Sequence, residues 1–229
     1  MKQSHLITDK EFEEIEVAIE KAEKNHRGEI VLVCLDASHD YWWVHWFWST
    51  IGFLMASLGM LVWNPDSFLQ DSTMAMLLFM TGQVFGLLLG TSFAFIPAVK
   101  RFTVPKSWRK AQVKREAYFQ FMAGGLSQTE LRTGVLIFIS HLERQVEILA
   151  DIGIFRKTGQ DYWDHQVQSL VEAIRRGETS QGIQTVIHSM SETLKKLFPA
   201  DPNRNPNELE NHVRSKGFES ESFDRKERS

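Results

Sequence analysis

The apolar positions of this chain follow three different rhythms, and each predicts a different kind of element. Phe12, Ile15, Ile19 and Ala22 recur at helical spacing. The T-x-x-E capping box of Thr8 and Glu11 opens this helix, which should run to about Asn25 and end before Gly28. Trp163, Val167, Leu170, Val171 and Ile174 stripe a second such helix, closed by Gly177. Ile183, Ile187, Met190, Leu194 and Leu197 stripe a third, stopped by Pro199. A basic helix is expected over roughly Trp108 to Ala123, with Gly124-Gly125 as its C-cap.

The second rhythm is the short unbroken run. Ile30 to Leu35 and Gly134 to Ser140 read as central strands buried on both faces. Two such strands joined by a long helical crossover form a βαβ unit and should lie parallel. His141 to Arg144 reads as a short turn and Val146 to Asp151 as a third strand, antiparallel to the second.

The third rhythm is the long uncharged run. Val44 to Trp63 and Met74 to Val99 contain no Asp, Glu, Lys or Arg, and each is long enough to cross a hydrocarbon core as a helix. Trp42, Trp43 and Trp63 flank the first run and Trp108 follows the second, with rings suited to the headgroup level. The connection, residues 64–73, has no Lys or Arg, whereas Lys100 and Arg101 open a basic series after the second run. The asymmetry predicts a multi-pass protein of the bacterial inner membrane with both chain ends cytoplasmic and the basic series against anionic lipid. Gly82, Gly86 and Gly90 share one helix face, for packing within the hairpin or between copies.

The expected organisation is then residues 1–40 as the first part of a small α/β domain, 41–105 as the membrane hairpin, 106–199 as the rest of the domain and 200–229 as a polar, disordered tail. Residues 1–27 are charged with no apolar core of a signal peptide, so the N-terminus is expected to stay in the cytoplasm. Over 229 residues the chain is 43% apolar and 24% charged, and its net charge of −3 supplies no basic field for nucleic acid. The one cysteine, Cys34, excludes an internal disulfide and sits where a small core residue is expected.

The strand directions sort the polar residues into two groups. Glu29, Arg132, Thr133 and Asp151 should gather at one end of the sheet, as a cation or polar-group site or as a structural ion pair. Asp36, His141, Glu143 and Arg144 should gather at the other, where parallel strands end and α/β sheets bind ligands, or as solvated loop charge. Neither histidine nor cysteine spacing suggests a metal, and no phosphate loop or nucleophile elbow is present. No cofactor is evident, and nothing marks a catalytic nucleophile.

Ser127 to Ile154 (SQTELRTGVLIFISHLERQVEILADIGI), preceded by HRGEIVLV and followed by Trp163 and the Lys196–Pro199 KLFP, resembles the TPM domain family. It looks closest to the bacterial branch with two spans after the first strand, and the likeness covers residues 8–199. The resemblance implies an α/β/α sandwich with a mixed sheet and an inserted transmembrane hairpin. It also implies one of several roles: an accessory or assembly module, a divalent-metal-assisted acid phosphatase, or calcium binding. Where the luminal branch has Gly-Tyr-Gly-Leu-Glu, this chain has Ala150-Asp151-Ile152-Gly153-Ile154, which leaves that Glu carboxylate without a counterpart. The expected function is a non-enzymatic module that binds lipids and a protein partner or a second copy at the membrane surface. The alternatives are the phosphatase and an oligomeric pore.

Overall fold

A computed structural model describes residues 7–63, 73–201 and, as backbone only, 214–216. The chain divides into two units, residues 40–109 and, interrupted by them, residues 1–39 with 110–229.

The interrupted unit is a small mixed α/β fold. Its helix α1 (Asp9–Glu23) starts at the expected capping box: Glu11 N–H donates to the Thr8 hydroxyl oxygen and Thr8 N–H to the Glu11 carboxylate at 2.8 Å. Strands β1 (Glu29–Leu35), β2 (Gly134–Ser140) and β3 (Gln145–Ala150) form the body of the sheet, with β1 parallel and β3 antiparallel to β2. Side chains alternate between two cores, which is why β1 is apolar throughout Ile30–Leu35 and β2 throughout Val135–Ile139. Ile30, Leu32, Val135, Ile137 and Ile148 face α1, α7 (Gln160–Arg175) and α8 (Thr179–Leu197). Val33, Leu35, Leu136 and Phe138 face Val113, Ala117 and Phe121 of α5 (Lys106–Ala123). Gly177 takes φ +80 between α7 and α8, where a side chain would strain the turn.

The fold departs from expectation in three places. Asp151 does not end the third strand; it caps a short helix α6 (Ile152–Thr158), its carboxylate accepting the Ile152 N–H at 2.6 Å. The tail is not uniformly without structure: β4 (Arg214–Lys216) pairs parallel with Val33–Leu35 of β1, completing the order β3-β2-β1-β4. Pairing of this kind uses only backbone groups, so a polar segment can supply it. The rest of the expected disordered tail, residues 202–213 and 217–229, lies outside the described residues. The third departure belongs to the other unit.

Residues 40–109 hold an antiparallel helix pair, α2 (Trp43–Trp63) and α3 (Thr73–Phe93). Both are long and apolar enough to cross a membrane. The second uncharged run is not one rod to Val99. It breaks after Phe93, and α4 (Pro97–Thr103) begins anew, because Pro97 has no N–H to continue a helix and holds Ile96 extended at ψ 120. A Cβ added at Gly52, Gly86 or Gly90 would collide with backbone of the facing helix, so these glycines let α2 and α3 touch. Gly82 differs, with only Met60 at 4.0 Å. Ser49 and Thr91 share a short hydrogen bond, and the Ser57 hydroxyl donates to Gln83 at 3.2 Å. On the outside, Leu54, Met55, Leu58, Val62, Leu77 and Leu88 are each more than half exposed.

Candidate functional site

The first predicted group does converge at one end of the sheet. Thr133 precedes β2, its carbonyl accepting the Glu29 N–H at 3.2 Å and its hydroxyl donating to the Arg27 carbonyl at 2.7 Å. Arg132 adopts a left-handed φ of 55, which turns its carbonyl toward the Gly153 N–H at 3.1 Å. A Cβ at Gly153 would press on the carbonyls of Leu131 and Arg132 at 2.5 Å, so this close approach demands glycine. Arg132 Nε lies 2.9 Å from Asp151 Oδ2, an ion pair whose N–H is not aligned on the oxygen. Arg132 is half exposed while Asp151 is buried.

This geometry uses up the carboxylate of Asp151. One oxygen caps α6 and the other faces a guanidinium that repels a cation. Among the described residues no three His, Cys, Asp or Glu side chains lie together so as to hold a metal. The residues present do not fit the calcium that the resemblance implies, because calcium takes six or more oxygens.

Two polar groups beside this end, the half-buried Glu23 and the buried His26, carry no sequence signal that marks them. Glu23, at the end of α1, accepts the Ile30 N–H at 2.8 Å. In the sheet's hydrogen-bond alternation the odd residues of β1 bond toward β2, so Ile30 points its N–H to the outer edge, where Glu23 satisfies it. Burial pushes the Glu23 carboxyl from its ordinary 4.5 to about 8, opposed by that N–H and aided by the charge of Glu29. His26, 1% exposed, accepts the Gly28 N–H at Nδ1 at 3.1 Å, and burial drives it down to about 4, keeping the ring neutral.

At the opposite end, Asp36, His141, Glu143 and Arg144 are also neighbours, in different states. Glu143 is buried rather than solvated: it accepts the Ser38 N–H at 3.2 and 3.3 Å and a short hydrogen bond from the Ser140 hydroxyl. It braces the loop after β1 against the turn after β2, as do the His141 and Leu142 amides, which donate to the Leu35 and Asp36 carbonyls. Arg144, at φ 52, ends the turn and stays exposed. Burial raises the pKa of Cys34 to about 12, so it is a core thiol, as expected.

Arg144 opens onto a feature that sequence reading missed, a groove of ≈ 410 Å³ along the outer edge of β3. Lys110 and Lys114 of α5 form one wall, while Trp163, Val167 and Val171 of α7 form the other. Glu147 lies on the floor; burial raises its pKa while both lysines lower it. The helix spacing of Lys110 and Lys114 was visible in the sequence, but their position beside β3 depends on the tertiary fold.

Of the residues expected at a membrane interface, Trp43 and Trp108 pack edge to face at 5.9 Å, and Trp108 also meets Tyr41 at 5.6 Å. Trp42 is exposed, and Lys100 and Arg101 fall in α4. The side chain of Trp63 and the connection 64–72 lie outside the described residues.

No family model matches the chain, and no curated protein does. Among solved structures, the chain is similar to the NMR structure of the BA42 protein from the psychrophilic bacterium Bizionia argentinensis, at 19% identity and a TM-score of 0.57. The match covers 94% of this chain and 99% of that one, a likeness of fold alone.

Proposed function

We propose that the protein is an integral membrane component whose two-span hairpin interrupts a TPM-like α/β/α sandwich, and that this domain is a non-enzymatic accessory or assembly module. In this reading α2 and α3 cross the bacterial inner membrane, both chain ends are cytoplasmic, and the domain meets a protein partner at the bilayer surface. The observation that carries it is the outward apolar surface of the helix pair: side chains such as Leu54, Met55, Val62 and Leu88 stand exposed where only hydrocarbon would stabilise them. The exposed face of α5 supports a domain held near lipid, because Arg115, Tyr118, Phe119 and Met122 mix charge with aromatic and apolar contact. Against an enzyme stands the use in folding of one carboxylate from each predicted cluster: Asp151 caps a helix and Glu143 braces two loops.

The test has two arms on the full-length protein. Site-directed labelling in intact cells should place residues 64–73 on the side opposite the chain ends. Labelling of both on one side overturns the topology. Phosphomonoester hydrolysis, with and without divalent cations, should be absent. Turnover abolished by Asp151→Asn with the fold intact overturns the accessory reading in favour of a phosphatase.

A further inference from the structure

We infer that the outer edge of β3 is a docking site for an extended segment of a partner protein, one with acidic residues at alternate positions and apolar residues between them. The inference rests on the accessory-module reading and names its contact surface.

β3 is the terminal strand of the sheet on its side, and no described strand pairs beyond it. In an antiparallel ladder, residues alternate between bonding to the neighbour and pointing away from it. The Asp151 N–H donates to Gly134 at 2.9 Å, which sets the phase: the odd residues of β3 bond to β2. The N–H and C=O groups of Val146, Ile148 and Ala150 therefore face the open edge. Such an edge is a template for strand addition unless the protein blocks it. This strand carries no proline and no lysine of its own.

The walls then specify the occupant. A strand added at this edge must send its side chains alternately to the two faces of the sheet. On one face they meet Trp163, Val167 and Val171, with Gln160 and Asp164 on the same helix; on the other they meet Lys110 and Lys114, whose two positive charges exceed the single carboxylate of Glu147 beside them. Arg144 stands at the end where β3 begins. The two walls thus ask for an apolar residue and an acidic residue in turn. The lysines protrude from a neighbouring helix rather than from the strand, so they flank the hydrogen-bonding edge without covering it.

The test uses the full-length protein in lipid nanodiscs. The probe is a short synthetic peptide of alternating Glu and Val, compared with one of equal composition whose glutamates are contiguous. Hydrogen exchange read by NMR should show the amides of Val146, Ile148 and Ala150 slowing when the alternating peptide is added. The contiguous peptide, or one N-methylated at alternate amides, should leave them unchanged. The double change Lys110→Glu with Lys114→Glu should weaken binding about tenfold, through the loss of two exposed charge pairs. An alternating Lys and Val peptide should then bind the charge-reversed variant better than the parent. Absence of protection at those amides, or equal binding by the N-methylated peptide or the charge-reversed variant, overturns the inference. Protection without peptide that grows with protein concentration assigns the edge to a second copy and overturns it as well. None of these failures bears on topology or hydrolysis, so the accessory reading stands or falls on its own assays.

Discussion

Replacing Glu23 by Gln should remove a loss of stability that the parent α/β unit suffers as pH rises. One Glu23 oxygen accepts the Ile30 N–H at 2.8 Å, while the other is buried with no hydrogen-bond partner among the described residues. Burial is the main reason its pKa rises from 4.5 to about 8. Below 4.5 the carboxyl is protonated in the folded and unfolded chain alike, and its stabilising contribution is fully present. Between 4.5 and about 8 the unfolded chain has released the proton and the folded chain retains it. Unfolding free energy then falls by about 1.4 kcal/mol per pH unit, and above about 8 the loss is complete. The ceiling is about 4 to 5 kcal/mol; relaxation and water entry around an ionised carboxylate reduce it, leaving about 2 kcal/mol to be measured. Gln has the shape of the protonated acid, keeps an acceptor for Ile30 and cannot ionise. His26 acts in the opposite direction: its pKa near 4 means that its contribution is present above 6.5 and is lost as pH falls toward 4. Because His26 is common to both proteins, the difference between variant and parent isolates Glu23. Guanidinium unfolding of the full-length protein in detergent micelles, followed by circular dichroism from pH 5 to pH 9, measures that difference. It should be small at pH 5, favour Glu23→Gln increasingly up to about pH 8, and level off toward pH 9. A difference that is constant across the range, or that shrinks with pH, refutes the reasoning.

Three further predictions follow from the packing. Gly86→Leu or Gly90→Leu should force α2 and α3 apart at a cost of about 2 kcal/mol or more, while Gly82→Leu should be tolerated, as read by thermal unfolding in detergent. Asp151→Ala should cost about 1 to 2 kcal/mol through loss of the α6 cap; Asp151→Asn, which keeps the cap and loses only a half-exposed ion pair, should cost less than about 1 kcal/mol by the same measure. Glu143→Ala should cost about 2 to 3 kcal/mol, with faster hydrogen exchange at Ser38, because it strands a buried amide and the Ser140 hydroxyl.

The strands were legible because two-sided burial leaves no room for a polar residue, so β1 and β2 announce themselves as unbroken apolar runs. The stripes of α7 and α8 and the capping box of α1 were legible for the same reason: each encodes its partner locally. What was missed depended on contacts remote in sequence. The break at Pro97 was written in the chain, but absence of charge alone does not show where a helix stops. Asp151 reads equally as the last residue of a strand and as the first cap of a helix; the Ile152 amide, bonded to its carboxylate, makes it the cap. Glu143 in a turn looks solvated until the loop after β1 folds over it. Glu23 carries no local sign of burial, since its partner N–H belongs to a strand edge that does not exist until the sheet forms.

The two edges of this sheet are treated differently. The outer edge of β1 receives Glu23 at Ile30 and β4 at Val33–Leu35, so its backbone groups are met from within the chain. The outer edge of β3 receives no described strand, yet two lysines and an apolar helix face are held beside it. A carboxylate at either end of the sheet is tied to a backbone amide, so chemistry at those ends would have to break the contacts that hold the loops. Recognition along β3 breaks nothing: it adds hydrogen bonds to groups that have none among the described residues and pairs charge with charge. With Asp151 and Glu143 tied to backbone amides at the two ends of the sheet, the edge of β3 is the place where a partner gains most and the fold loses least.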